Sequence, residues 1–173
     1  MTMYYIKTVL LLVTFLLTAF FSSAQFRAAT MRIDGLTCSM CSNSVDKAIK
    51  KLDFVENVQM NLNSNIAEVV FREGIKVDIK RLAQAVKDAG YSVGYLNAAF
   101  YFDSLTISEG FSFLHDNDHY RFVSSDEKTL TGLVTLKFLG KIYQEKKEYL
   151  QSVTLYSAYM REDKKKNVYY IQL

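Results

Sequence analysis

The chain has 173 residues, half of them hydrophobic and 14% aromatic, enough for one large domain or two small ones with a true apolar core. Its formal net charge is +3 and its Lys and Arg residues are scattered, which excludes the dense basic stripe of a nucleic-acid-binding protein. It contains no Pro and no Trp, and its two cysteines, Cys38 and Cys41, lie two residues apart.

The first 24 residues read as a segment outside the fold. Lys7 precedes an apolar run from Val9 to Phe21, and Ser22-Ser23-Ala24 supplies small residues for cleavage. This layout predicts a secretory signal peptide (1-24) cut after Ala24. The apolar run is about 13 residues, short of the roughly 20 that a membrane span needs, although an uncleaved anchor is the alternative. No Cys stands at the junction to carry a lipid. The expectation is an exported protein of the periplasm or cell envelope, with no membrane span after cleavage.

From residue 28 the pattern becomes regular. Ala29 to Asp34 reads as a strand with Met31 and Ile33 on one face, and Gly35 to Cys38 as a turn. Ser42 to Leu52 places Val45, Ala48, Ile49 and Leu52 at helical spacing, with Ser39 or Ser42 as candidate cap. Phe54 to Leu62 and Ile66 to Phe71 read as two strands joined at Asn63-Ser64-Asn65. Asp78 to Ala89 is a second amphipathic helix ended by Gly90, and Tyr91 to Tyr95 a short last strand. Strand, helix, strand, strand, helix, strand is the ferredoxin-like βαββαβ order, an α+β fold.

Two thiols this close can grip one soft metal ion, act as a redox pair, or close a small disulfide ring. The ring would add little stability, because it constrains so short a piece of the unfolded chain. The loop Gly35-Leu36-Thr37-Cys38-Ser39-Met40-Cys41, with this element order and with Asp88-Ala89-Gly90-Tyr91 before the last strand, resembles the heavy-metal-associated domain family. That family includes copper chaperones, modules of copper-pumping ATPases and a periplasmic mercury-binding protein. The resemblance covers about residues 28-95. It departs at Leu36, where the family usually has a Met that packs under the loop. Leu has nearly the same apolar volume, so little harm is expected.

The resemblance implies a metal site at Cys38 and Cys41, lined by Leu36, Thr37 and Tyr91, with Tyr91 either shielding the loop or serving simply as a core aromatic at the start of a strand. Thiolates are the ligands, and a helix N-terminus favours their formation. Two of them with no His or acid beside them suit Cu(I) or Hg(II), and suit Zn(II) poorly because structural zinc takes four ligands. Related zinc and cadmium pumps often carry an acid beside the first Cys; Thr37 stands there in this chain, which favours copper. Low coordination also leaves room for a thiolate of a partner, such as a metal-transporting ATPase or another metal-binding domain.

Residues 98-173 resemble nothing recognised. Ala98 to Ile107, His119 to Val123, Leu130 to Phe138, Val153 to Met160 and Val168 to Leu173 look like strands, and Tyr143 to Leu150 fits a short helix or a long strand. Five or six strands in about 75 residues predict a small all-β domain, an OB-like barrel or a sandwich. His115 and His119 with Asp116 and Asp118 form a candidate second metal cluster, but Asp116-Asn117-Asp118 reads as a turn and a solvated hairpin loop is the plainer reading. No Ser/His/Asp constellation appears. The functional expectation is a non-enzymatic metal-binding protein; the alternative is a thiol–disulfide protein using the same pair. Such redox proteins usually need a cis-Pro facing the pair, and this chain has no Pro.

Overall fold

Alternation in the first strand sets the whole architecture. The structure, a computed structural model, describes residues 25–123, 126–160 and 167–173; the segment 1-24, read above as a signal peptide, lies outside them. In β1 (Phe26–Asp34) the side chains of Phe26, Ala29, Met31 and Ile33 are all buried. Ala29, Met31 and Ile33 lie on the side of α1 (Ser39–Lys50) and α2 (Ile79–Asp88), while Phe26 packs among rings of the second half. Val45 and Ile49 of α1 and Ile79, Leu82, Ala83 and Val86 of α2 return the burial. Each of the Val, Ile and Leu side chains among them contributes about 1.5–3 kcal/mol when fully buried.

β2 (Val55–Asn61) and β3 (Ile66–Phe71) form the expected hairpin, with Asn65 in the left-handed region at φ 55°. Leu62, read from sequence as the end of this strand, lies past the end of β2 and is 53% exposed. β1 pairs antiparallel with β3 on one side and with β4 (Ser92–Ile107) on the other. The order β2-β3-β1-β4 with two helices on one face is the ferredoxin-like arrangement.

The second half builds onto that sheet. The last strand was expected to end at Tyr95, but β4 runs on through residues 95–98 for 16 residues in all. Its later part pairs with β7 (Lys128–Leu139), and the sheet continues to β8 (Val168–Gln172), β6 (Asp118–Phe122) and β5 (Ser112–His115). The result is one eight-stranded sheet, β2-β3-β1-β4-β7-β8-β6-β5, with β2 and β5 at its ends. An OB-like barrel or sandwich standing apart is therefore not what the described residues form. The sheet curls strongly: Phe26 of β1 meets His115 of β5 at 5.9 Å between ring centroids. Phe100, Tyr120 and Phe138 complete that aromatic core.

Residues 98–173 are also not all-β. Val153 to Met160, read as a strand from its Val, Thr and Tyr content, belongs to α3 (Lys146–Leu155) and the single-turn α4 (Ser157–Met160). The exposure pattern explains it. Glu148, Tyr149, Ser152, Val153 and Tyr156 are the covered positions, a helical period, so packing overrides strand propensity. This helix lies on the sheet face opposite α1 and α2, where Glu148 Oε2 is 3.6 Å from Lys137 Nζ and Gln172 Nε2 donates to Tyr156 OH. No helix among the described residues is long and apolar enough to cross a membrane.

Candidate metal centre

The site grows out of the corner between β1 and α1. After Asp34 the chain turns at Gly35, whose φ of 91° favours glycine. Leu36 then folds inward and is 7% exposed, anchoring the loop from beneath. Thr37 and Cys38 face solvent.

Cys38, not Ser39 or Ser42, is the N-cap of α1. Its backbone is extended (φ −150°, ψ 159°), and its Sγ accepts a hydrogen bond from Cys41 N at 3.3 Å. Ser42 is buried and donates through both N and Oγ to the Cys38 carbonyl. The first cysteine is thus at the helix entrance and the second in its first turn, where unpaired N–H groups favour negative charge on sulfur. Cys38 is exposed, whereas Cys41 is half-buried against the core. The two are joined as a disulfide, with Cα atoms 5.3 Å apart. Met40, between them, is 79% exposed and lies on the surface of the loop.

Tyr91 stands at the neighbouring corner, before β4. Its N–H donates to Val86 O, and its ring packs 3.7 Å from the position a Cβ on Gly35 would take. It therefore flanks the loop and also packs on the core. Asp34 turns away from the sulfurs and accepts from Arg32 Nε at 3.0 Å. That bond is the main reason the Arg32 guanidinium holds its proton more tightly than usual.

Sequence reasoning missed the group around Arg32. Its Nη2 also reaches Glu145 Oε2 at 3.2 Å, and Glu145 N donates to Gly94 O at 2.9 Å. A Cβ on Gly94 would fall 2.5 Å from Arg32 Nε, so the glycine gives the guanidinium room to cross β4 in its present position. Nothing local in the sequence signals a contact between residues 113 positions apart.

The histidine cluster does not assemble. β5 and β6 meet in a two-residue turn with Asp116 and Asn117 both left-handed, as hairpins require. His115 pairs with Asp118 and Leu114 with His119, so the two histidines point to opposite faces of the hairpin. Asp118 is instead held by Lys76 Nζ at 3.1 Å, and burial lowers the His115 pKa. No group of three His, Cys, Asp or Glu residues that could hold a metal ion occurs among the described residues.

Comparison with known proteins matches this geometry. Residues 30–92 fit the heavy-metal-associated domain. The chain is 37% identical over 68 residues to the mercuric transport protein periplasmic component of Pseudomonas fluorescens, covering 39% of this chain and 74% of that protein. It is 34% identical over 64 residues to the copper chaperone CopZ of Bacillus subtilis, covering 37% of this chain and 91% of that one. It also matches a probable copper-exporting P-type ATPase of Archaeoglobus fulgidus at 36% identity, over only 8% of that much longer protein. Among solved structures, oxidized MerP from Ralstonia metallidurans CH34 is similar at 35% identity with a TM-score of 0.36, covering 40% of this chain and 97% of that one. All of these alignments leave most of the second half of the chain unmatched. Through residues 30–92, the chain belongs to the heavy-metal-associated domain family.

Proposed function

We propose that this protein binds a soft metal ion as cargo through Cys38 and Cys41 and passes it to a partner by thiolate exchange. The observation that carries this reading is the pair of sulfurs at a strand-to-helix corner, one exposed and one half-buried. When the disulfide is reduced, both sulfurs are close enough to bind one ion. No third protein ligand crowds them among the described residues. Such a donor set fits Cu(I) best and Hg(II) next; Zn(II), which prefers four ligands, fits least. Exposed Cys38 is the sulfur an incoming thiolate can reach first.

Relatives named as copper chaperones, copper ATPases and mercuric transport components support cargo of this class, and a metal-transporting ATPase or another metal-binding domain as the partner. Relatives named as periplasmic components, with the layout of residues 1-24, favour export to the periplasm or envelope. The division of labour we propose gives the metal to residues 28-95, with 98-173 as a separate functional part. The protein is a carrier and not an enzyme, with Leu36, Thr37 and Tyr91 shaping the loop.

The disulfide favours one second reading, a thiol–disulfide protein using the same pair. Anaerobic titration of freshly reduced protein with Cu(I) separates the two. Binding of one equivalent, lost in the Cys38→Ser/Cys41→Ser variant, supports transfer. Catalysed reduction of a disulfide substrate, with no copper bound, would overturn it.

A further inference from the structure

The docking of the second half creates a cleft of about 720 Å³ at the metal end of the sheet. One wall is Asp34, Ser92 and Val93, where β1 ends and β4 begins. The other is the segment from Lys141 to Leu150, with Tyr149 and Leu150 as its apolar surface. The stretch matching the family ends at residue 92, so it could not form this wall alone.

Charge in the cleft is unevenly satisfied. The carboxylates of Asp34 and Glu145 are both taken up by Arg32. The ammonium groups of Lys141 and Lys146 make no ion pair or hydrogen bond among the described residues. The cleft therefore offers two free ammonium groups beside apolar surface, a setting for a small ligand with carboxylates and a nonpolar body. Pockets of roughly 300–1,000 Å³ are the size that takes such molecules.

Its position narrows the ligand further. Cys38 is four residues beyond Asp34, so it lies within about 14 Å of the cleft wall even if the chain were fully extended. Ser92 follows Tyr91, which packs on the loop at Gly35. A tripeptide reaches about 10 Å, enough to lie in the cleft and bring a sulfur toward the cysteines. We propose that this cleft binds a short thiol peptide or amino acid through its carboxylates, as a small-molecule donor or co-ligand for the metal. The assignment rests on the metal-transfer reading for its purpose, though not for its detection.

The test uses S-methylglutathione, whose blocked sulfur neither binds metal as a thiolate nor opens the disulfide. It is titrated into the copper-free disulfide form, followed by calorimetry and by backbone NMR. Saturable binding is expected, with shifts centred on Val93, Gln144 and Tyr149. A Lys141→Gln/Lys146→Gln variant should bind about five- to tenfold more weakly, the scale of losing two partly exposed ion pairs, with its Cu(I) stoichiometry unchanged. An analogue with both carboxylates amidated should not bind. Absence of saturable binding, binding indifferent to the two lysines, or a cleft that accepts only an acidic protein segment would overturn the proposal. None of these outcomes alters the Cu(I) titration, so failure of the cleft and failure of the metal site are read separately.

Discussion

The sulfur of Cys38 lies 3.3 Å from the backbone nitrogen of Cys41, so the first cysteine closes the helix that carries the second. One atom thus serves both as a structural cap and as a candidate metal ligand. Capping and binding can be separated by substitution. In reducing buffer Cys38→Ser keeps an acceptor at the cap and Cys38→Ala removes it. We expect the Ala variant to be about 1 kcal/mol less stable than the Ser variant. Both should lose tight Cu(I) binding. Equal urea midpoints for the two would show that the cap contributes nothing.

Leu36 fills the space beneath the loop and is 7% exposed. Leu36→Met conserves volume, so the cost in stability should be under about 1.5 kcal/mol, with metal affinity unchanged. A large loss of Cu(I) affinity in competition with a chelator would mean the loop is supported in some other way.

Gly94→Ala tests the crossing of Arg32 over β4. The added methyl would meet Arg32 Nε at 2.5 Å and Asp34 Oδ1 at 2.8 Å. Arg32 and Asp34 are each about a third exposed and can swing aside, so displacing that pair should cost roughly 1 kcal/mol, the scale of a surface ion pair. Glu145→Gln, which removes only an exposed partner, should cost less than about 1 kcal/mol. Thermal unfolding of the two variants side by side decides this, and a harmless Gly94→Ala would refute the steric argument.

Phe26 joins the two halves. It is 2% exposed and touches Phe100 of β4, His115 of β5, Tyr120 of β6 and Phe138 of β7. Phe26→Ala should cost about 3–5 kcal/mol and leave unfolding as one transition, because β4 is common to both parts. Two resolved calorimetric transitions would contradict this, showing that the halves melt independently.

His115 should make stability sensitive to acid. Burial lowers its pKa below 6.5, helped by Lys76 and opposed by the nearby Asp116 and Asp118. Between the lowered native value and 6.5 the unfolded chain binds more protons than the native one. Stability is then complete above about pH 6.5 and falls as pH drops toward the native pKa. Urea midpoints at pH 7.5 and pH 5.5 should differ for the parent protein. His115→Phe, which keeps a ring among Phe26, Phe100 and Tyr120, should shrink that difference. An unchanged difference would assign the acid sensitivity to other groups.

The first half was largely legible because its signals are local. Met31 and Ile33 alternate, Val45 and Ile49 recur at helical spacing, and Asp78 caps α2 as its position implied. The helix at residues 146–155 was less legible, since its strand-favouring side chains read one way and the face it buries another. The short strand β5 went unread because only its partner and the Asp116-Asn117 turn define it.

Chain order, the cysteine spacing and the turn at Gly35 are enough, without coordinates, to indicate a βαββαβ module with two sulfurs at its first corner. These features depend on residues a few positions apart, where periodicity and backbone preference act directly. Only the folded structure decided that β4 runs through both halves, that Arg32 reaches Glu145 across Gly94, and that a cleft forms beside the loop. Those depend on contacts between residues tens to more than a hundred positions apart. Sheet pairing and steric fit select such contacts after the local elements exist, and no short stretch of sequence encodes them.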